Sequence, residues 1–221
     1  NFVFILSLLL NSFLFSQEIE WQETRKIEFS DFKGKPPAIS NFAANSMISI
    51  NYKVLSKSIW TGKIKIKIFA TFDSEKSWVS LQYLNQNGLL EHEQIHFDIA
   101  EFFSRKLSKV LVEKVDSVEK FNRDFQILYD KVYQEYIDFQ NLFEEETSFG
   151  TNIEKQKIWK KKVDNLLKNT KILKKILKQK DFSDNDRINF MDLLAKKFTG
   201  REWPDMKEGP IVAENFKNAF Y

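Results

Sequence analysis

The alternation of apolar and polar residues changes period along this 221-residue chain. Ile48, Ile50, Tyr52 and Val54 alternate with Ser49, Asn51 and Lys53, and Ile64, Ile66 and Ile68 alternate with Lys63, Lys65 and Lys67. A period of two sends successive side chains to opposite faces, so both segments predict half-buried strands. Thr61 and Gly62 lie between them and predict an antiparallel hairpin, with the lysines solvating its outer face and protecting its edge. Ahead of the hairpin, Trp21, Ile27, Phe29 and Phe32 predict a short strand-like segment that stops at Gly34, Pro36 and Pro37.

After a polar break at residues 85–88 the period becomes helical. Leu89, Leu90, Ile95, Phe97, Ile99, Ala100, Phe102 and Phe103 predict a buried helix over residues 89–112, with Glu101 and Arg105 as a surface pair one turn apart. Phe121, Phe125, Leu128, Val132, Tyr136 and Phe139 recur at intervals of three and four, which predicts a second long helix over 117–145 folding back on the first. Gly150 ends this helical hairpin. Residues 153–180 are strongly basic yet keep Trp159, Val163, Leu166, Leu167, Leu173 and Leu177 at helical spacing, the pattern of a lysine-rich solvated face over a packed stripe. The same helix could also meet an anionic envelope surface. In the tail, Ser183 and Asp184 are cap candidates, Ile188, Met191, Leu194 and Phe198 predict a further helix, Gly200 stops it, and Trp203, Pro204 and Pro210 mark a loop. The pattern as a whole is α+β: a small antiparallel sheet packed on two long helices, with an additional C-terminal helical region.

Composition adds an address. Residues 2–15 form an uncharged apolar run, short for a bilayer span, that reads as a signal peptide over 1–16 with Ser16 at the cleavage point. A periplasmic or secreted protein with no transmembrane span after cleavage is expected. It has no cysteine, so neither disulfides nor a lipidated thiol are available, and stability must come from core burial and from a metal. A formal charge of +3 gives no global pull toward nucleic acid, and no such partner is expected.

The candidate chemistry lies in the first helix. The chain's two histidines, His92 and His96, are four positions apart with Glu93 between them. On a helix that spacing stacks two imidazoles on one face, where they can hold one divalent ion, and the glutamate can act as general base toward a water there. Zinc is the cation this pattern favours. A catalytic site needs a third protein ligand, which must be a carboxylate because neither a thiol nor a further histidine exists. The motif that adds a glycine and a third histidine fails at Ile99 and Phe102. Glu101 lies about 140° around the helix from His96 and could reach the metal only over a distorted backbone. A second helix returning at the same rise meets the metal's level around residues 135–147, where Glu135, Asp138, Glu144, Glu145 and Glu146 fall. Asp98 is a candidate to orient a ligating histidine, and Tyr133 or Tyr136 to stabilise an oxyanion. The exposed edge of a strand in the hairpin, such as that containing Ile64, could hold an extended peptide.

Together, WQETRKIEFSDFKGKPP, FDSEKSWV, LLEHEQIHFDIAE and FEEETSFGTNIEKQKIW resemble a bacterial secreted family, domain of unknown function 922, grouped with zinc-dependent peptidases. The likeness runs from about Trp21 to Trp159, and its most specific element adds Phe97, Asp98, Ile99 and Glu101 to the histidine motif. The resemblance implies a zincin-like fold and a zinc metalloprotease acting on a peptide or protein substrate. With the leader and the helical pattern above, the expected division is a signal peptide (1–16), a zincin-like metallopeptidase domain (17–152) and a C-terminal helical extension (153–221). It also selects Glu146, which occupies the glutamate of the family's Tyr-Asp-x-Glu-Thr-x-His-Gly pattern, as third ligand, with Glu144 or Glu101 as alternatives. Phe149 departs from that pattern by standing at its histidine. A reading of another class is a non-catalytic zinc-binding envelope protein that serves a structural or partner-binding role.

Overall fold

The computed structural model describes residues 18–177, with side chains described through residue 171. The expected leader and the tail signals from Ser183 to Pro210 lie outside the described residues. The chain forms strands β1 (Glu18–Glu20), β2 (Ala44–Asn45), β3 (Ile48–Lys57), β4 (Ile64–Asp73) and β5 (Trp78–Val79), then helices α1 (Leu89–Lys114), α2 (Val118–Thr147) and α3 (Ile153–Leu177).

The alternating segments pair as expected. β3 and β4 form an antiparallel hairpin, interrupted by a register shift between Val54 and Ser56, and β1 pairs with the other edge of β4. β4 is therefore the central strand of three, covered by β1 only over Thr71–Asp73, and β3 carries the long free edge of the hairpin containing Ile64. A second, two-stranded sheet joins β2 to β5 through Ala44 opposite Val79.

The strand-like segment at Trp21 to Phe32 is a correction. β1 ends before Trp21, and Phe29–Asp31 is a single 3-10 turn. The Asp31 carboxylate accepts the Glu28 backbone N–H at 2.8 Å and pairs with Arg25 at 2.7 Å, so a local cap wins over extension. The apolar residues still reach the core. Ile27 is buried, and the Phe32 ring meets Phe72 edge to face at 5.1 Å.

α1 is the hub, packed against β4 on one side and α2 and α3 on others. Ile95, Ile99, Ala100, Phe103, Leu107 and Leu111 from α1 share one core with Ala70 and Phe72 of β4 and Phe125, Val132 and Phe143 of α2. Trp159, Val163 and Leu167 of α3 belong to the same core, so the apolar stripe of the basic helix is packed over these residues. α2 begins at Ser117, whose hydroxyl accepts the Lys120 N–H at 3.2 Å, and ends where Ser148, Phe149 and Gly150 all take positive φ (51°, 53° and 77°). Among the described residues no helix is long and apolar enough to cross a membrane.

Two buried polar side chains of α1 tie down the segment after β1. Gln94 accepts the Ile27 N–H at 2.8 Å. Asp98, 2 % exposed, accepts from the Trp21 indole at 2.7 Å and from Gln94 at 2.8 Å, and lies 3.3 Å from the Lys26 ammonium. These contacts fix the rotation of α1 about its axis, which decides where its other polar face points.

Candidate metal centre

That other face carries His92 and His96, one helical turn apart. Their rings stand nearly perpendicular (87°) with centroids 4.7 Å apart, and their Nε2 atoms approach to 3.1 Å. Glu144 arrives from the end of α2 and straddles them, Oε2 at 3.3 Å from His92 Nε2 and Oε1 at 3.2 Å from His96 Nε2. Donors of one tetrahedral ion with bonds of 2.0–2.1 Å would lie about 3.3 Å apart, close to the separation of the two Nε2 atoms and to the distance from each of them to one Glu144 oxygen. His92, His96 and Glu144 are the group of potential ligands whose atoms lie within 4.8 Å of one another among the described residues. Two imidazole nitrogens and a carboxylate suit several divalent transition metals, zinc included.

Packing holds this arrangement. Phe143, fully buried, stacks on the His92 ring (4.7 Å, 25°) and meets His96 edge to face at 4.8 Å, with Trp159 behind it at 5.4 Å. Gly150 closes over the other imidazole atoms: a Cβ there would stand 3.0 Å from His92 Cγ and Nδ1. Gln140, one turn before Glu144, sets the tautomer of His96. Its Nε2 donates to the His96 carbonyl at 3.1 Å, which turns its Oε1 toward His96 Nδ1 at 2.6 Å. Nδ1 then donates to Gln140, and Nε2 is the nitrogen that faces Glu144.

The electrostatics of the group are strongly coupled. Burial would raise the Glu144 pKa, but the adjacent imidazoles of His92 and His96 hold it at about 2. Burial would lower that of His96, yet the carboxylates of Glu144 and Glu93 and the Gln140 contact leave it raised. Glu144 Oε2 and His92 Nδ1 are buried with no hydrogen-bond partner; the 3.3 Å approach of Oε2 to His92 lacks hydrogen-bonding geometry. An acceptor so placed is costly unless a cation faces it.

Glu93 lies 6 % exposed in the same cleft as His92 and Glu144, and its Oε2 accepts the Ser46 hydroxyl at 2.5 Å. The cleft is walled by Phe42, Ala43, Ala44, Leu89 and Phe149, with Gln86 at its side. Ala43 and Ala44 are brought there by the β2–β5 pairing and by Ser80 N–H donating to the Ala43 carbonyl at 2.9 Å.

Other predicted site residues are elsewhere. Glu146, selected as third ligand, accepts the Trp159 indole N–H at 2.7 Å and braces α2 against α3. It follows Glu144 by two residues, about 200° around the helix, so both cannot face α1. Glu101 pairs with Arg105 at 2.7 Å, Glu135 with Lys106, and Asp138 accepts from Gln134. Asp98 contacts neither imidazole among its described hydrogen bonds; the orienting role falls to Gln140. Tyr136 is buried beside Phe103, its pKa pushed by burial to about 12, and Tyr133 stacks on Tyr129; neither lines the cleft. The i, i+4 relation of Gln140 to Glu144 is a signal by which Gln140 could have been found. Ser46, in an irregular stretch, carries none.

Comparison of the chain with protein-family models, curated proteins and solved structures finds no match.

Proposed function

We propose that this chain is a metal-dependent peptidase with a zincin-like active site, exported to the periplasm or beyond, in which His92, His96 and Glu144 hold zinc and Glu93 is the general base. The observation that carries the reading is the convergence of two Nε2 atoms 3.1 Å apart on one carboxylate, whose Oε2 lies 3.3 Å from His92 and Oε1 3.2 Å from His96, with buried Glu93 lining the same cleft as His92 and Glu144. The likeness to the zinc-peptidase-grouped family supports it through the same histidine motif. Glu144 rather than Glu146 is the carboxylate ligand, at the aspartate of that family's pattern.

Bound there, the cation would supply Lewis acidity toward a carbonyl and a water. Glu93 accepts the water's proton and returns it to the leaving amine. The Ser46 hydroxyl holds the Glu93 carboxylate toward the cleft. Gln140 keeps His96 in the tautomer that leaves Nε2 free to bind, and Phe143 with Gly150 keeps the His92 ring from turning away. Phe42 and Phe149, 60 % and 67 % exposed at the cleft, favour a substrate with an apolar side chain next to the scissile bond.

The test joins metal analysis to a Glu93→Gln variant. Parent and variant should each carry about one zinc per chain, and cleavage of a peptide library should fall on the order of 10²–10⁴-fold in the variant. A zinc-loaded parent that cleaves no peptide in the library would sink the enzyme reading. The second reading, a non-catalytic zinc-binding envelope protein, would then stand, favoured by Phe149 at the family's histidine position.

A further inference from the structure

The turn between β3 and β4 carries the most exposed aromatic side chain of the described residues: Trp60 is 98 % and the adjacent Ile59 89 % exposed. Large apolar side chains held fully in water at one protruding point cost solvation energy and contribute nothing to the fold. The turn does not leave them there by slackness. Ser58 Oγ accepts the Thr61 N–H at 3.2 Å, Ser58 N–H donates to the Lys63 carbonyl at 2.9 Å, and Gly62 takes a left-handed φ of 66° with open space around it. The Gly62 carbonyl accepts the Val118 N–H at 2.7 Å, which clamps the tip to the start of α2.

The strands behind the tip are charged in one sense. From Tyr52 to Lys67 the chain has five lysines and no acid. Lys67 pairs with Glu20, while Lys53, Lys57, Lys63 and Lys65 are exposed and have no ion pair among the described contacts. Val54 and Leu55, 40 % and 48 % exposed at the register shift, continue the apolar surface down β3. An indole and an aliphatic tip backed by lysines on both strands matches the depth profile of a lipid leaflet: hydrocarbon, then interface, then anionic headgroups. A folded protein partner would need apolar area on a face, whereas here the apolar residues form a point with cations behind it.

We propose that the β3–β4 turn is a membrane-docking tip, inserting Ile59 and Trp60 into the interface of an anionic bilayer while Lys53, Lys57, Lys63 and Lys65 meet the headgroups. The tip lies by the α1–α2 junction and the metal centre at the far ends of those helices. Eighteen residues of α1 separate His96 from Lys114, roughly 27 Å of helix, so docking leaves the cleft open. The proposal does not depend on the activity of that cleft.

The experiment is flotation of the full chain with vesicles of phosphatidylcholine alone and of phosphatidylcholine with 30 % phosphatidylglycerol. Both partners are compared as parent and tip variant, so any binding through residues 2–15 is common to the two. The parent should bind the anionic vesicles and the Ile59→Ser, Trp60→Ser double variant at least fivefold less, at unchanged melting temperature because neither side chain packs on anything. Lys57→Glu with Lys63→Glu should give a similar loss, and brominated lipid should quench tryptophan emission in the parent more than in the tip variant. Equal vesicle binding by parent and tip variant overturns the proposal. So does a parent that binds neither vesicle, or a drop in solution mass in the tip variant, which would make the tip a contact between copies.

Discussion

Gly150→Ala tests whether the fold itself aims His92. Gly150 has φ 77°, where an alanine costs about 1–2 kcal/mol. The new Cβ would stand 3.0 Å from His92 Cγ and Nδ1 and 3.4 Å from Cδ2, whereas carbon atoms rest at about 3.5–4.0 Å. The imidazole must retreat by roughly half an ångström, and Phe143, stacked on it and fully buried, resists. Metal–ligand distances tolerate about 0.2 Å, so zinc affinity should fall on the order of 10–100-fold, about 1.4–2.7 kcal/mol. Two unfolding curves separate the effects. With chelator, backbone strain and the contact with the imidazole count but metal binding does not, and Tm should drop by at least about 2–8 °C for a chain of this size. With saturating zinc the gap between parent and variant should widen by the lost binding energy, and a competition titration should report the same factor directly. Equal gaps with and without zinc, at unchanged affinity, would refute the reasoning: the glycine would then serve the turn alone.

Three further outcomes are expected. Gln140→Leu removes the acceptor at His96 Nδ1 and should weaken zinc binding about 10–100-fold by calorimetric titration, with Gln140→Glu restoring most of it. In chelator-treated protein, Glu144 has its pKa lowered from 4.5, so its contribution is present above that value and lost as pH falls toward about 2; His96 has its pKa raised from 6.5, so its contribution is present below 6.5 and lost as pH rises through the elevated value. Urea midpoints without metal should therefore peak between about pH 4.5 and 6.5, while the increment due to zinc should grow with pH as the His96 imidazole deprotonates; a metal-free optimum above pH 8 would contradict the pairing. Asp98→Ala strands the Trp21 and Gln94 donors and should cost about 2–5 kcal/mol in urea unfolding with zinc affinity within a few-fold of the parent; a tenfold loss of affinity in folded variant would return Asp98 to the metal.

The hairpin and the three helices were legible because each depends on a local period: alternation at Ile48–Val54 and Ile64–Ile68, threes and fours at Phe121–Phe139. The histidine pair was legible for the same reason, since four residues on one helix fix their juxtaposition. The third ligand was not. It depends on how α2 is rotated as it passes α1, and the level of return admitted five acids. Glu144 and Glu146 differ by about 200° of rotation, and that rotation is set by Phe143 and Thr147, which are buried, and by the Trp159 indole that claims Glu146. Nor could periodicity find Ser46 or the Phe42–Ala44 wall, which reach the cleft only through pairing with Val79 and Ser80 far along the chain.

The polar residues of α1 explain why reading one buried apolar face and one polar face was incomplete. His92 and His96 lie on one side; Gln94 and Asp98 lie on the opposite side of the helix and are buried, as His92 is. A helix that is polar on opposite sides of its core-facing surface loses apolar contact, and each group would cost about 1–3 kcal/mol if left unpaired. Gln94 and Asp98 are satisfied by Ile27, Trp21 and Lys26, and those directional bonds admit one rotation of α1 where apolar packing alone would tolerate several. On the opposite side His92 Nδ1 and Glu144 Oε2 stay without hydrogen bonds at that same rotation. The anchored side therefore holds the opposite side in place, so that the two Nε2 atoms stand 3.1 Å apart and each faces one oxygen of the Glu144 carboxylate at 3.2–3.3 Å.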